Sequence, residues 1–148
     1  MKPLYTAEAV VTGGRDAGHA RTSDGAVELD LRTPPELGGP GGGANPEQLF
    51  AIGYAACFES ALKTVARRSD TSADDARIDA RVSLVTGPER TFSLAVELDV
   101  TLPSVGDDEA VQLVRAAHEV CPYSNATRGN IDVALSANGR RVDEPQAS

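Results

Sequence analysis

The fold is decided by the stretch Asn45-Pro46-Glu47-Gln48-Leu49-Phe50-Ala51-Ile52-Gly53-Tyr54-Ala55-Ala56-Cys57-Phe58. Asn45 can cap the free backbone N–H groups of a helix, and Pro46 suits the first helical position because its missing N–H would be unpaired there anyway. The pattern predicts a helix that continues to about Arg68. Since its first half is apolar around the whole circumference, this helix is predicted to be central and covered on all sides.

Length and charge restrict the kinds of protein that this chain can be. With 148 residues it is long enough for a single domain, 1–148, that buries roughly two thirds of the surface of its unfolded chain. A formal net charge of -8 and a pI of about 4.7 would repel nucleic acids and anionic membranes. The expected partner is therefore a small molecule or another protein.

Neither a secretory signal nor a membrane span is predicted. The first residues contain no apolar stretch typical of signal peptides, and the longest apolar run has ten residues, whereas a bilayer requires about 20. The expected location is the cytoplasm, where thiols stay reduced and a structural disulfide would be unusual. The two cysteines, Cys57 and Cys121, are accordingly expected to be free, metal-bound or catalytic.

Strands are predicted on both sides of the helix from their period-two alternation of apolar and polar residues. They lie at about 4–12, 26–32, 77–86, 91–102 and 131–135, and the third and fourth form a hairpin. In the fourth strand the alternation has no exception. The polar tail from Arg140 to Ser148 is predicted to fray.

Cys121 lies where a second helix is predicted to stop. This helix begins at Asp107 or Asp108, and it ends or bends near Cys121 because Pro122 disfavours the helical conformation in the residue before it. A further helical turn is predicted to end at Gly129. The second cysteine is therefore expected between two helical segments.

Four functions of the two cysteines are consistent with their surroundings. They can be buried packing residues, since free cysteine is among the most buried residue types. They can belong to a metal site, in which His118 and Cys121, three residues apart, are two ligands and Cys57 or Glu47 completes the set. They can serve a cysteine hydrolase, for which His19 and His118 are the only available bases. They can also form a two-cysteine redox couple.

Two long and two shorter motifs follow one another along the chain. They are Gly13-Gly14-Arg15-Asp16, Glu36-Leu37-Gly38-Gly39, Asn45-Pro46-Glu47-Gln48-Leu49-Phe50 with Gly53-Tyr54-Ala55-Ala56-Cys57-Phe58, and Val120-Cys121-Pro122-Tyr123-Ser124-Asn125-Ala126-Thr127-Arg128-Gly129-Asn130-Ile131. Together they resemble the organic hydroperoxide resistance (Ohr) proteins, the branch of the Ohr/OsmC family that reduces alkyl and lipid hydroperoxides. The resemblance covers about Leu4 to Leu135 and favours the redox couple.

The resemblance implies roles for four residues. Cys57 matches the peroxidatic cysteine, and Cys121 matches the resolving cysteine that would close a Cys57 sulfenic acid into a disulfide. Arg15 matches the arginine that polarises the site, and Glu47 matches the acid that holds this arginine. An external dithiol, implied to be a lipoyl group on a protein, would reopen the disulfide. Neither a cofactor nor a metal ion is implied.

The resemblance also implies a fold. The expected fold is α+β and OsmC-like, with antiparallel sheets around a central buried helix that carries the nucleophilic cysteine. We expect this chain to form an intertwined homodimer, for a reason that lies in the helix itself. On a straight helix, ten residues separate Glu47 from Cys57 by about 15 Å of rise and about 80° of rotation. Either the helix is broken between them, or Glu47 serves a site completed by another subunit. The apolar start of the helix favours the second option, because a partner would cover it.

Four aromatic residues are candidates for an apolar channel that prefers long alkyl hydroperoxides: Phe50, Tyr54, Phe58 and Phe92. The alternative for each is ordinary core packing. The main alternative to an enzyme is a redox-sensing or metal-binding protein that uses the same thiols without turnover.

Overall fold

A computed structural model describes residues 1–143 of the chain. Internal contacts distinguish two compact units, one formed by Met1–Leu49 and the other starting at Phe50. The long helix begins in the first unit and continues in the second. The expectation of one domain over 1–148 stays a prediction.

The first unit is a three-stranded antiparallel sheet in the order β1-β2-β3. Its strands are β1 (Ala9–Thr12), β2 (Gly18–Thr22) and β3 (Glu28–Arg32). A single helical turn, α1 (Gly14–Ala17), connects β1 to β2. The strands expected at 4–12 and 26–32 are present in shorter form. The sequence does not predict β2, because Gly-His-Ala-Arg-Thr lacks the apolar alternation of a half-buried strand.

The long helix α2 (Pro46–Arg68) is unbroken and has the predicted bounds. Asn45 and Gln48 form a reciprocal capping box at its start. The Gln48 N–H donates to Asn45 Oδ1 at 2.9 Å, and the Asn45 N–H donates to Gln48 Oε1 at 3.1 Å. The helix is therefore not broken between Glu47 and Cys57.

One face of α2 is buried from Tyr54 onward, through residues at helical spacing: Tyr54, Phe58, Ala61, Leu62, Val65 and Ala66. Nearer its start, Ile52 is 67% exposed and Leu49 is also exposed. A single chain therefore does not cover the apolar first half on all sides. By length and composition alone α2 could cross a membrane, but the core helix of a soluble protein passes the same test.

The second unit contains a four-stranded sheet in the order β4-β5-β6-β7. Its strands are β4 (Arg77–Thr86), β5 (Phe92–Thr101), β6 (Asp132–Ala137) and β7 (Arg140–Val142). The predicted β4–β5 hairpin is confirmed. β5 and β6 are parallel, so this sheet is mixed rather than purely antiparallel as expected. Parallel strands need a long crossover, which is supplied by the helices α3 (Asp107–Val120) and α4 (Pro122–Thr127).

The core of the second unit is a hydrophobic cluster that joins residues of α2, α3 and strands β5 to β7. Val142 on β7 belongs to it and is almost fully buried. A two-residue turn, Asn138-Gly139 with both residues at positive φ, brings β7 back onto β6. The prediction that the chain frays from Arg140 is therefore wrong for Arg140–Val142, and 144–148 lie outside the described residues.

Candidate active site

Arg15 and Glu47 form a bidentate ion pair in the first unit. Arg15 Nη2 donates to Glu47 Oε1 at 2.9 Å, and Nη1 donates to Oε2 at 3.2 Å. Glu47 lies in the first turn of α2 and is 14% exposed, whereas Arg15 is 36% exposed. The structure thus brings two of the four predicted site residues together.

The loop that carries Arg15 depends on two glycines. Gly13 and Gly14 have φ angles of +79° and +64°, which residues with a Cβ adopt only with strain. A Cβ on Gly13 would also lie 2.5 Å from the carbonyl oxygen of the last residue of α1. The Thr33 hydroxyl donates to the Asp16 carboxylate at 2.7 Å and ties the loop to the chain that follows β3.

The ion pair keeps both side chains charged. The hydrogen bond from Arg15 lowers the pKa of Glu47 below its usual value, against a smaller opposing effect of burial. The same bond is the main reason why the pKa of Arg15 is raised. Since a guanidinium has five N–H donors, the two used here leave others that can bind a further oxygen acceptor.

Cys57 and Cys121 are neighbouring free thiols in the second unit. Cys57 lies on α2 and is partly buried, while Cys121 is fully buried. The Cys121 N–H donates to the carbonyl oxygen of Ala117 at 2.9 Å, and the Cys121 carbonyl accepts from the Asn125 N–H at 3.0 Å. Cys121 therefore ends α3 and starts α4, at the interruption predicted from Pro122.

The surroundings of Cys57 favour the thiol over the thiolate. Burial is the main cause that raises the pKa of Cys57, and the neighbouring Cys121 raises it further. The hydrogen bond with the Tyr123 backbone acts in the opposite direction and lowers this pKa. The net shift is opposite to the one a neighbouring guanidinium would produce. These surroundings alone do not make Cys57 a strongly ionised nucleophile.

Three aromatic rings pack around the start of α4. Tyr123 lies 5.9 Å from Phe50 and 5.6 Å from Tyr54 between ring centroids, and Phe50 lies 6.1 Å from Tyr54. Gly53 makes room for this arrangement, because a Cβ at that position would lie 2.6 Å from the Tyr123 hydroxyl oxygen. Tyr123 therefore sits against α2, and its backbone contacts Cys57.

An apolar groove of about 430 Å³ lies beside these rings. It is lined by Phe50, Leu94, Pro122, Tyr123, Ala126, Thr127, Asn130 and Ile131. Of the four aromatic residues expected in a substrate channel, only Phe50 lines this groove. Tyr54 and Phe58 are fully buried in the core, and Phe92 is 68% exposed at the start of β5.

Hydroxyl groups from α2 and α4 meet in the interior of the second unit. The Tyr54 hydroxyl hydrogen-bonds to Ser124 Oγ at 2.8 Å and to Thr127 Oγ1 at 3.2 Å. His118 Nδ1 on α3 hydrogen-bonds to the same Ser124 Oγ at 2.8 Å. All four side chains are buried. We call this set, Tyr54, Ser124, Thr127 and His118, the hydroxyl cluster.

His19 and His118 do not belong to a metal-binding group of side chains within the described residues. Within residues 1–143, no group of three or more His, Cys, Asp and Glu side chains could hold a metal ion. His19 lies on the exposed face of β2, 3.0 Å from Asp30 and 3.1 Å from Glu28. These two carboxylates raise its pKa.

The sequence alone assigns no role to Gly53, Tyr123, Ser124 or Thr127. Only a weak pattern in the sequence points to Ser124 and Thr127. Ser124 and Thr127 are spaced three apart on a short helix, which places two small polar residues on one face. Their partner, Tyr54, is distant in the sequence, so only the folded chain shows why that face is polar.

The fold and the thiol pair define a class of protein. A long central helix presents a partly buried cysteine to a second, fully buried cysteine at a helix interruption, and no other cysteine is present in the chain. This arrangement is that of a small α+β thiol protein with two redox-capable sulfurs.

Comparison with known proteins gives the family. A model of the family described as OsmC-like protein matches residues 39–136. An organic hydroperoxide resistance protein of Xanthomonas axonopodis pv. citri (strain 306) is 52% identical over 137 residues, covering 91% of this chain and 95% of the relative. The organic hydroperoxide resistance protein OhrB of Bacillus subtilis (strain 168) is 44% identical over 133 residues, covering 89% and 96%.

Solved structures of organic hydroperoxide resistance proteins also resemble this chain. The organic hydroperoxide resistance protein OsmC of Legionella pneumophila matches with a TM-score of 0.86 and 54% identity, covering 91% of this chain and 98% of that chain. OhrB of Bacillus subtilis matches with a TM-score of 0.83 and 44% identity, covering 90% and 98%. The chain belongs to the OsmC-like family, in its organic hydroperoxide resistance branch. The expected α+β, OsmC-like fold is confirmed.

Proposed function

We propose that this protein is a thiol peroxidase that reduces organic hydroperoxides to alcohols. The Cys57 thiolate attacks the terminal peroxide oxygen, the O–O bond breaks, and the alkoxide takes a proton and leaves as the alcohol. Cys57 is then a sulfenic acid. The Cys121 sulfur attacks it, a disulfide forms, and the thiol proton and the hydroxide leave as water. The observation that carries the proposal is the direct proximity of the two thiols beside the Tyr123 backbone.

The apolar groove supports organic hydroperoxides as the substrate class. Its lining is mainly aromatic and aliphatic, and it includes Tyr123, the residue whose backbone is hydrogen-bonded to Cys57. An alkyl chain loses water-exposed apolar area there, which is worth about 25 cal/mol per Å². Hydrogen peroxide has no such group and gains nothing from the groove. Phe50 lines the groove and would contact the alkyl chain.

The catalytic cycle requires a dithiol reductant. One thiol of the reductant attacks the Cys57–Cys121 disulfide, a mixed disulfide forms, and the second thiol of the reductant displaces the protein sulfur. Family resemblance favours lipoyl groups on proteins as this dithiol. The proposed location is the cytoplasm, where such reductants are kept reduced.

The turnover number distinguishes an enzyme from a redox sensor. With excess dithiothreitol, the protein is expected to consume many equivalents of tert-butyl hydroperoxide per chain. Without a reductant, one equivalent is expected to give a disulfide, seen by intact mass spectrometry as a loss of about 2 Da. Consumption that stops at one equivalent in the presence of the dithiol would identify a sensor and refute the peroxidase.

We further propose a homodimer in which each site uses the Arg15–Glu47 pair of the other subunit. Three observations support it. Helix α2 is unbroken between Glu47 and Cys57, and its apolar Leu49 and Ile52 are exposed in a single chain. Strand β1 also has exposed apolar residues, Val10 and Val11. A second copy would cover these apolar surfaces.

Mixed dimers test the exchange of site residues between subunits. The two inactive variants Cys57→Ser and Glu47→Ala are mixed, unfolded and refolded together. If the sites use residues of both subunits, each mixed dimer has about one complete site, and mixtures with equal amounts are expected to recover roughly a quarter of wild-type turnover. Each variant refolded alone is the control. No recovery by a sample shown to contain mixed dimers would refute the exchange.

A further inference from the structure

The hydroxyl cluster ties α4 to α2 at a position close to both thiols. On α2, Tyr54 lies three residues before Cys57, and on the other side Ser124 lies three residues after Cys121. Residues three apart in a helix share a face, so the tie lies about one turn from Cys57. Cys121 is close enough to Tyr54 that a charge on its sulfur raises the pKa of the Tyr54 hydroxyl, after burial as the main cause.

Helix α4 is short, and besides the ring of Tyr123 it offers little apolar surface for docking. It has six residues, and isolated helices of fewer than about 12 are marginal in water. Its buried residues are Ser124 and Thr127, both of which carry hydroxyl groups. Tyr123 and Ala126 are exposed along the groove. Since the buried residues of α4 carry hydroxyl groups, its docking depends on directional hydrogen bonds in addition to the contacts of the Tyr123 ring.

We propose that the Tyr54 hydroxyl is a positioning group for disulfide closure, an inference that rests on the proposed peroxidase function. By holding Ser124 and Thr127, it keeps α4 and the preceding Cys121 against α2 while Cys57 is a sulfenic acid. In that interval two reactions compete: Cys121 closes the disulfide with loss of water, or a second hydroperoxide oxidises the sulfenic acid to a sulfinic acid. The tie favours closure.

The magnitude follows from the geometry that a disulfide needs. Bridged cysteines require Cα atoms within about 4.4–6.8 Å and a restricted dihedral angle. A misplacement of about 1 Å can slow a positioned reaction by about a hundredfold. Loss of one tie among several contacts should displace Cys121 only part of the time. We therefore expect the rate of Cys57–Cys121 disulfide formation to decrease about tenfold.

Tyr54→Phe removes the hydroxyl and retains the ring. Ser124 keeps its bond to His118, and Thr127 keeps its bond to the carbonyl oxygen of Tyr123 at 3.0 Å, so no buried hydroxyl loses its last partner. Formation of the Cys57 sulfenic acid, measured as alcohol released in the first turnover, is expected to change less than about threefold. Closure is expected to slow about tenfold, with more sulfinic acid, a gain of about 32 Da, at a given hydroperoxide excess.

The controls separate positioning from general destabilisation. Tyr5→Phe makes the same chemical change at an exposed tyrosine and is expected to retain wild-type partition between disulfide and sulfinic acid. Urea unfolding of both variants gives the free energy of unfolding, which should remain sufficient for a fully folded protein at the assay temperature. If Tyr54→Phe does not fold, Ser124→Ala removes the same bond from the α4 side and is expected to slow closure likewise.

The outcomes distinguish this inference from the proposed function. If the wild type turns over and Tyr54→Phe, or Ser124→Ala in its place, closes the disulfide at the wild-type rate, the positioning role is overturned and the peroxidase stands. An equal slowing of the first step and of closure also overturns it. If the wild type itself forms no alcohol from the hydroperoxide, the proposed function fails.

Discussion

Cys57→Ser is expected to lower hydroperoxide consumption by about a thousandfold or more, because only the sulfur anion attacks the O–O bond at a useful rate. A serine hydroxyl is essentially un-ionised at neutral pH, and its oxygen cannot be converted to a sulfenic acid. Cys121 is then the only thiol left. It is fully buried, so it is expected to replace Cys57 poorly as the attacking group.

Cys121→Ser is the matched variant, since it removes the other sulfur with the same atomic substitution. It is expected to release one equivalent of alcohol per chain in the first turnover at close to the wild-type rate. No disulfide can then form, and excess hydroperoxide should convert Cys57 to the sulfinic acid, a gain of about 32 Da. Alcohol release by chromatography and intact mass measure both steps. Loss of the first equivalent in Cys121→Ser, with retention in Cys57→Ser, would reverse the assigned order.

Arg15→Ala is expected to give the second largest loss, on the order of a hundredfold in kcat/KM. The reason is stabilisation of the alkoxide that develops as the O–O bond breaks, because removal of one preorganised donor at a developing anion typically causes losses of this size. Glu47 holds the guanidinium through two hydrogen bonds, so in the proposed peroxidase Arg15 would be oriented before the substrate binds.

A lowered pKa of Cys57 cannot supply an effect of this size. From a usual pKa of about 8.5, a decrease of about 2.5 units raises the thiolate fraction at pH 7 about 30-fold. With a nucleophilicity slope of about 0.45, each thiolate becomes roughly 13-fold slower. The net gain is only about twofold. Within the second unit, burial and the neighbouring Cys121 raise the pKa of Cys57 rather than lower it, so these surroundings supply no activation of this kind.

The measurement compares two effects of the Arg15→Ala change. The thiolate fraction of Cys57 is followed by its ultraviolet absorbance as a function of pH in a Cys121→Ser background, and kcat/KM is measured with tert-butyl hydroperoxide in the protein that retains Cys121. Arg15→Ala is expected to lose far more in kcat/KM than in thiolate fraction at pH 7. Arg21→Ala, an exposed arginine on β2, is the control and should resemble the wild type. Comparable losses in both quantities would show that Arg15 acts through the pKa.

Several elements of the fold follow from local sequence rules. The start of α2 is set by Asn45 and Pro46, the β4–β5 hairpin by an alternation without exceptions, and the helix interruption by Pro122. These features depend on neighbours within a few positions, which is why the sequence predicts them. In the first unit, β2 is not predicted because its residues show no apolar alternation. Its strand conformation results from pairing with β1 and β3.

The sequence by itself determined the long helix with its cysteine, the second cysteine at a helix interruption, and the family to which these motifs belong. Only the tertiary structure decided which aromatic side chains are core and which line the groove. It also decided that Tyr54 pairs with Ser124 and Thr127, at 2.8 and 3.2 Å. Periodicity records which face of a helix is buried, but it does not identify the partner. The partner of a buried hydroxyl is chosen by long-range packing, since that hydroxyl must be hydrogen-bonded wherever the fold places it.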